Sequence, residues 1–167
     1  MKLRGGARVI LLDGSTTNLE VARRLPDSPE RTVLTNSPPI AAALADHPTA
    51  EVVMIGGRLR KEAQVTVGAA AIDFIRSVRV DACVLGVCAI HPEAGISTDD
   101  LAEADVKKAM VQSAADVIVL ATSDKLRSGS PYLVAPLADL THMVAEADAP
   151  DELLDPYRAA GVTVTRA

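Results

Sequence analysis

The residues best suited to holding a ligand stand in one short run, Asp13-Gly14-Ser15-Thr16-Thr17, directly after the apolar segment Val9-Ile10-Leu11-Leu12. A buried strand that breaks at Asp13-Gly14 into a hydroxyl-rich turn opens a helix, read here over residues 16–25. Backbone N–H groups of Gly14, Ser15, Thr16 and Thr17 are then left unpaired where the aligned peptide dipoles favour negative charge, which makes a cradle for a phosphate. A plainer use stands beside this one. Ser15 or Thr16 simply caps the helix, as such residues do in many helices that bind nothing. Asp13 would repel a phosphate placed next to it, so it is assigned either to ligand hydroxyls or to fixing the N–H groups of the following turn.

A second group of charges follows far along the chain. Asp100 and Glu103 stand three apart at a helix start and Lys107 four residues later, which puts all three on one helical face. They suit a charged pocket wall, but the spacing alone favours a solvated face with an i,i+4 pair worth roughly 0.2–0.5 kcal/mol. Lys125, in a turn-rich loop after an apolar strand, is placed to reach a phosphate or carboxylate, although a lone loop lysine is commonly just solvated. His47, His91 and His142 share no metal-ligand spacing, and no Ser/His/Asp order or zinc motif is present, so no catalytic residue, metal or cofactor is assigned.

The elements that must position these residues alternate at short intervals. Strands are predicted over residues 8–12, 31–35, 51–55, 81–87, 116–121, 140–145 and 162–165, with helices over 16–25, 40–46, 69–76, 100–113 and 151–159. That alternation predicts an α/β fold, a mostly parallel sheet with helices on both faces. In such sheets ligands bind outside the carboxyl ends of the strands. Five stretches fall there and converge on one rim: 13–17, 35–37, 56–61, 86–100 and 122–125. Residues 58–66 and 122–131 read as polar loops and as the parts able to move, and 88–98 as a connection. The apolar stretches 40–45 and 133–137 are candidates for subunit contact.

Composition bounds the rest. At 167 residues, 49% hydrophobic and 23% charged, the chain suits one globular domain over 1–167, with a core that needs no disulfide. Aromatics are 2% with no Trp, so the core must be aliphatic and little is available to stack nucleic-acid bases. A formal net charge of -5 repels a phosphate backbone, which argues against direct DNA binding by this chain. Cys83 and Cys88 lie in one apolar run at an odd spacing that would send them to opposite faces of a strand, so they are not expected to pair and read as small buried hydrophobes of a reducing compartment. No segment is apolar for long enough to span a membrane, and residues 1–6 lack the apolar core of a signal peptide, so a cytoplasmic location is expected.

Taken in order, Asp13-Gly14-Ser15-Thr16-Thr17, Thr35-Asn36, Gly56-Gly57-Arg58-Leu59-Arg60, Val67-Gly68, Asp81 with Gly86, Gly95-Ile96-Ser97-Thr98, and Asp100 to Glu103 with Val106-Lys107-Lys108-Ala109-Met110 resemble the C-terminal effector-sensing domain of DeoR-family transcriptional repressors. The similarity runs over about 7–146. It implies a Rossmann-like three-layer α/β/α fold, as in ribose-5-phosphate isomerases and coenzyme A transferases. It implies a domain that binds a phosphorylated sugar or related metabolite and thereby alters DNA contact by an N-terminal winged helix-turn-helix.

Carried over by the resemblance, the phosphate cradle maps to Gly14, Ser15, Thr16 and Thr17, a polar contact to Asn36, the loop after the third strand to Gly57 and Arg58, and the charged helix to Asp100, Glu103 and Lys107. Lys125 matches the lysine after the fifth strand. The family usually reads Asp-x-Ser-Lys-Phe there, whereas this chain has Thr122-Ser123-Asp124-Lys125-Leu126, with Asp124 as the substitute carboxylate. The glycine- or serine-rich step expected after Gly86 is Val87-Cys88-Ala89. Both departures bear on effector identity more than on fold. No basic helix-turn-helix precedes the first strand, so the expectation is a sensing domain with its reader removed, assembled as a dimer or tetramer.

The rival is a sugar-phosphate isomerase using the same pocket, with Asp100 or Glu103 as base and Lys107 or Lys125 polarising the carbonyl. Residues 87–95 lack the Asp-Gly-Ala-Asp-Glu run of ribose-5-phosphate isomerases, and no Lys-Gly-Gly-Gly follows. A folate or acyl-transfer enzyme has no dedicated motif here. The chain is therefore expected not to be an enzyme.

Overall fold

Continuous runs of Val, Ile and Leu form strands buried on both faces, and the turn-rich segments between them carry the helices. The computed structural model describes residues 7–28 and 30–167. In chain order the elements are β1 (Val9–Leu12), α1 (Thr16–Arg23), β2 (Arg31–Thr35), α2 (Pro38–Leu44), β3 (Ala50–Met54), β4 (Arg58–Arg60), β5 (Val65–Val67), α3 (Ala69–Arg76), β6 (Val80–Leu85), β7 (Ala89–His91), β8 (Gly95–Thr98), α4 (Leu101–Ser113), β9 (Ala114–Ala121), β10 (Tyr132–Ala135), β11 (His142–Ala145), α5 (Asp151–Ala159) and β12 (Thr163–Arg166).

Seven of the strands make one sheet in the order β12-β11-β9-β6-β1-β2-β3. Every neighbouring pair in it is parallel, so the expected α/β architecture is what the chain adopts. The chain winds outward from β1 to β3, returns to the middle, and winds the other way through β6, β9, β11 and β12. The order reverses between β1 and β6, and open α/β sheets place their ligand crevice at such a point.

Alternate residues of the central strands serve two cores. Leu11, Leu34, Cys83, Leu85, Val117 and Val119 pack toward Ala71 and Ile75 of α3, Ala104 and Met110 of α4, and Leu154 and Tyr157 of α5. Ile10, Leu12, Val33, Ala82, Val84 and Ile118 pack toward Ala22 of α1 and Ile40 and Leu44 of α2. Three layers result. The buried Tyr157 keeps its hydroxyl satisfied, donating to the Ile90 carbonyl at 2.8 Å and accepting from the Arg127 N–H at 2.9 Å.

Several expectations change. Residues 58–66 are not a loop, because β4 and β5 pair as an antiparallel hairpin. Val65, Thr66 and Val67 are all buried; β4 pairs along one edge of β5, while the Thr66 N–H and carbonyl turn to Asn36. The connection 88–98 holds β7 and β8, which join β10 in a three-stranded antiparallel sheet. Strands of three or four residues are too short to show a period in sequence. Ile40 and Leu44 face the core, as do Val134, Ala135 and Leu137, whereas Ala42, Ala43 and Ala45 in the first stretch and Leu133 in the second are exposed, as is Tyr132. Cys83 is buried, but β6 ends at Leu85, and Cys88 lies beyond it on the rim and is exposed. Ser37 stands at the N-cap of α2 without a side-chain cap bond. No helix of the described residues is long and apolar enough to cross a membrane. Residues 1–6, read above for a signal peptide, lie outside those described.

Candidate functional site

The site grows from the gap between β1 and β6. The Asp13 N–H donates to the Val84 carbonyl at 3.1 Å, extending the ladder one residue past Leu12. The Asp13 side chain, 1% exposed, then closes the turn: Oδ1 accepts from the Gly14 N–H at 2.9 Å and Oδ2 from the Gly86 N–H at 2.9 Å. Of the two roles read for Asp13, holding the turn is the one seen. Gly86 suits the crossing, because a Cβ there would come within 2.9 Å of the Gly14 carbonyl.

Lys107 reaches the same carboxylate from α4. Its ammonium pairs with Asp13 Oδ2, donates to the Gly86 carbonyl at 3.0 Å, and lies 3.9 Å from Glu103 Oε2. Burial opposes that charge, but Asp13 and Glu103 outweigh it and hold the ammonium above the ordinary lysine range. Glu103 in turn pairs with Arg60 of β4, whose Nε is 3.4 Å from Asp100 Oδ2. Asp100 Oδ1 also caps α4, accepting from the Glu103 N–H at 2.9 Å. A line of alternating charge thus runs Asp13, Lys107, Glu103, Arg60, Asp100. The solvated face favoured by spacing is overturned: Glu103 is 7% exposed and Lys107 4%, because α4 lays this face against the sheet's reversal point.

On the other side of the turn Ser15 caps α1, its Oγ accepting from the Asn18 N–H at 3.0 Å. Asn18 is pinned beneath, donating to the Asp13 and Val84 carbonyls at 2.8 and 2.9 Å. The cap satisfies one of the donors that every helix start leaves open. Among the described residues no group accepts from the N–H of Ser15, Thr16 or Thr17. Cap and anion cradle therefore coexist.

Asn36, 2% exposed, ties the cradle to the hairpin. Its Oδ1 accepts from the Gly14 N–H at 3.2 Å, its Nδ2 donates to the Thr66 carbonyl at 3.4 Å, and its own carbonyl accepts from the Thr66 N–H at 2.8 Å. Val65 packs where a Gly14 side chain would stand. Gly57 turns the chain into β4 at φ +145, with the space for a Cβ closed by the Val67 carbonyl at 2.8 Å. Arg58 follows, exposed and without an ion pair among the described residues. Lys125 sits in a single 3-10 turn after β9, two strands away from β1 on the same rim. Asp124 beside it is exposed and is held below the usual carboxylate range by a hydrogen bond from Thr122, and Glu146 also engages this turn, its Oε2 accepting from the Ser123 N–H and hydroxyl at 2.8 Å each.

The structure therefore links Asp13, Gly14, Asn36, Asp100, Glu103 and Lys107 through consecutive contacts, with Ser15, Thr16 and Thr17 at the open edge. Gly57 and Arg58 enter by way of the hairpin, and Lys125 stands apart. Three participants were missed from sequence: Arg60, Asn18 and Val65. Asn18 left a signal, an amide three residues past the capping serine, and Arg60 stood in the Gly56 to Arg60 run without a role assigned to it. A separate groove of about 680 Å³ follows the flank of α1 along Val21 and Leu25, against Leu120 and Val144. It reaches the cradle only at Thr17 and is lined by none of Asp13, Glu103 and Lys107.

The family model described as the DeoR C terminal sensor domain matches residues 3–147. The chain belongs to the DeoR family. It is 32% identical over 157 residues to the HTH-type transcriptional regulator GlpR of Haloferax volcanii, covering 94% of this chain and 61% of that protein. It is 36% identical over 144 residues to the HTH-type transcriptional repressor GlcR of Bacillus subtilis, covering 86% of this chain and 55% of that protein. The chain thus spans a little over half the length of these relatives. The parallel sheet and the rim at its reversal point are the architecture of a DeoR sensor domain in this chain.

Proposed function

We propose that this DeoR-family domain binds a phosphorylated sugar or a related phospho-metabolite, with the phosphate on the N–H groups of Ser15, Thr16 and Thr17, and that occupancy modulates the DNA contact of a separate helix-turn-helix domain. The observation that carries this reading is the pairing of three open N–H groups with a neutralised Asp13. Open donors at a helix start attract an anion, and Lys107 offsets the charge of the adjacent Asp13, which would repel it. Asn36, Gly57 and Arg58 then border the sugar end, and Lys125 supplies a further cation from the same rim. The regulator names of the relatives agree with sensing. A cyclic assembly, dimer or tetramer, suits a regulator that reads palindromic operators.

Binding without turnover fits the charges better than isomerisation does. A general base must be free to take a proton, whereas Glu103 and Lys107 are each buried against an opposite charge. Thermal unfolding against a panel of phosphorylated sugars tests the proposal, since a ligand at about a hundred times its Kd adds about 2.7 kcal/mol. Thr16→Pro sharpens it. Proline is tolerated at the first helical position but removes one N–H, so unliganded stability should hold while affinity falls about tenfold, the scale of one hydrogen bond to a charged group. A panel with no stabilising anion, or full affinity in Thr16→Pro, would sink this reading.

A further inference from the structure

Arg60 belongs to no part of the phosphate cradle, yet it closes a ring of contacts around it. On one side the hairpin meets the cradle directly: Val65 packs on Gly14, and Asn36 bridges the Gly14 N–H and the Thr66 carbonyl. On the other side Arg60, cross-strand partner of Val65, passes through Glu103 and Lys107 back to Asp13, whose carboxylate holds the N–H groups of Gly14 and Gly86. The joints are polar contacts, the longest being the 3.9 Å between Lys107 and Glu103, or a side chain against a glycine. The two strands of the hairpin also differ in anchorage, for β5 is wholly buried while Arg58 and Leu59 of β4 are exposed. Arg60 is thus the side chain that fastens the outer strand to the body of the domain.

We propose that Arg60 is a positioning residue that couples the β4–β5 hairpin to the phosphate cradle, so that an anion seated on the N–H groups of Ser15, Thr16 and Thr17 is felt at Arg58 and Leu59. The inference rests on the cradle reading above for its liganded form, but the coupling itself is a property of the free domain. An anion drawn to the open N–H groups shifts the Asp13 turn, and Lys107 and Glu103 carry the shift to Arg60. Coupling of this kind needs a contiguous element that both sites bias, and the ring supplies one. It also makes the hairpin, with its exposed Arg58 and Leu59, the surface on which occupancy becomes visible to a neighbouring domain.

Amide hydrogen exchange on the purified chain tests this, with inorganic phosphate as the probe and Arg60→Ala and Arg60→Lys as variants. In the free protein Arg60→Ala should speed exchange at Gly14 and Gly86 roughly fivefold, within the range of couplings between members of one charged network. Arg60→Lys should restore part of the protection, because a point charge meets one carboxylate but not both. Added phosphate should slow exchange over 13–18 and 56–67 in the wild type, and in Arg60→Ala over 13–18 with the response at 58–60 lost, since the Val65 and Asn36 contacts remain. Unchanged Gly14 and Gly86 amides in the free Arg60→Ala protein overturn the coupling whatever the cradle binds, as does a full hairpin response to phosphate in that variant. If phosphate protects neither segment of the wild type while the free-state effect is present, the cradle reading fails and the coupling stands.

Discussion

Lys107 carries a charge that the fold has placed where few lysines are found, and its partner cannot be left alone there. Removing one member of a buried pair strands the other, which typically costs about 3–5 kcal/mol. Lys107→Met should therefore destabilise the domain by that order in urea unfolding near neutral pH, through the buried Asp13 carboxylate. The pH dependence follows from the direction of the shift. The Lys107 ammonium is held above the ordinary lysine value of about 10.4, so its stabilisation is complete below that pH and is lost only as pH rises through the still higher folded value. The gap between wild type and Lys107→Met should be flat from neutral to mildly alkaline pH and narrow only beyond. A gap that closes already in mildly alkaline buffer would show that the ammonium is not held this way.

At the scale of elements, the hairpin and the cradle share one packing surface, with Gly14 as its thinnest point. A methyl added there meets Val65. Gly14→Ala should cost about 1–3 kcal/mol, as overpacking of a filled site does, and Val65→Ala should recover most of it in a double-mutant cycle. Additive losses would mean that the hairpin does not rest on the cradle. The same contact shows what sequence can and cannot carry. The turn at Asp13 to Thr17 was legible because its ingredients are contiguous: an apolar strand, a glycine, a run of hydroxyls and a helix. The face holding Glu103 and Lys107 was legible as a face, but helical spacing does not say what covers it. That is decided by β1 and β6 arriving from elsewhere in the chain. Arg60 was hidden because β4 and β5 are three residues each, below the length at which alternation declares a strand, and because its partners lie 40 and 43 residues away. Cys88 was read as buried from its place in one apolar run with Cys83, but β6 ends at Leu85.

Over the whole molecule, seven parallel strands draw their pairing from residues distant in sequence, as where Leu12 meets Val84. Such topologies bury their central strands deeply. Cys83 lies in β6, in the middle of that sheet, while Cys88 is exposed on the rim only five positions on. The two thiols consequently form a built-in clock. An alkylating reagent added to the native protein should modify Cys88 promptly and Cys83 only during rare openings of the central strands. For a domain of ordinary stability those openings slow the second reaction at least about a thousandfold. Two thiols reacting at similar rates in native buffer would contradict the buried position of β6. With Cys88 blocked, the waiting time of Cys83 measures how often the sheet comes apart, and any metabolite that seats in the cradle should lengthen it without a label, a dye or a DNA partner.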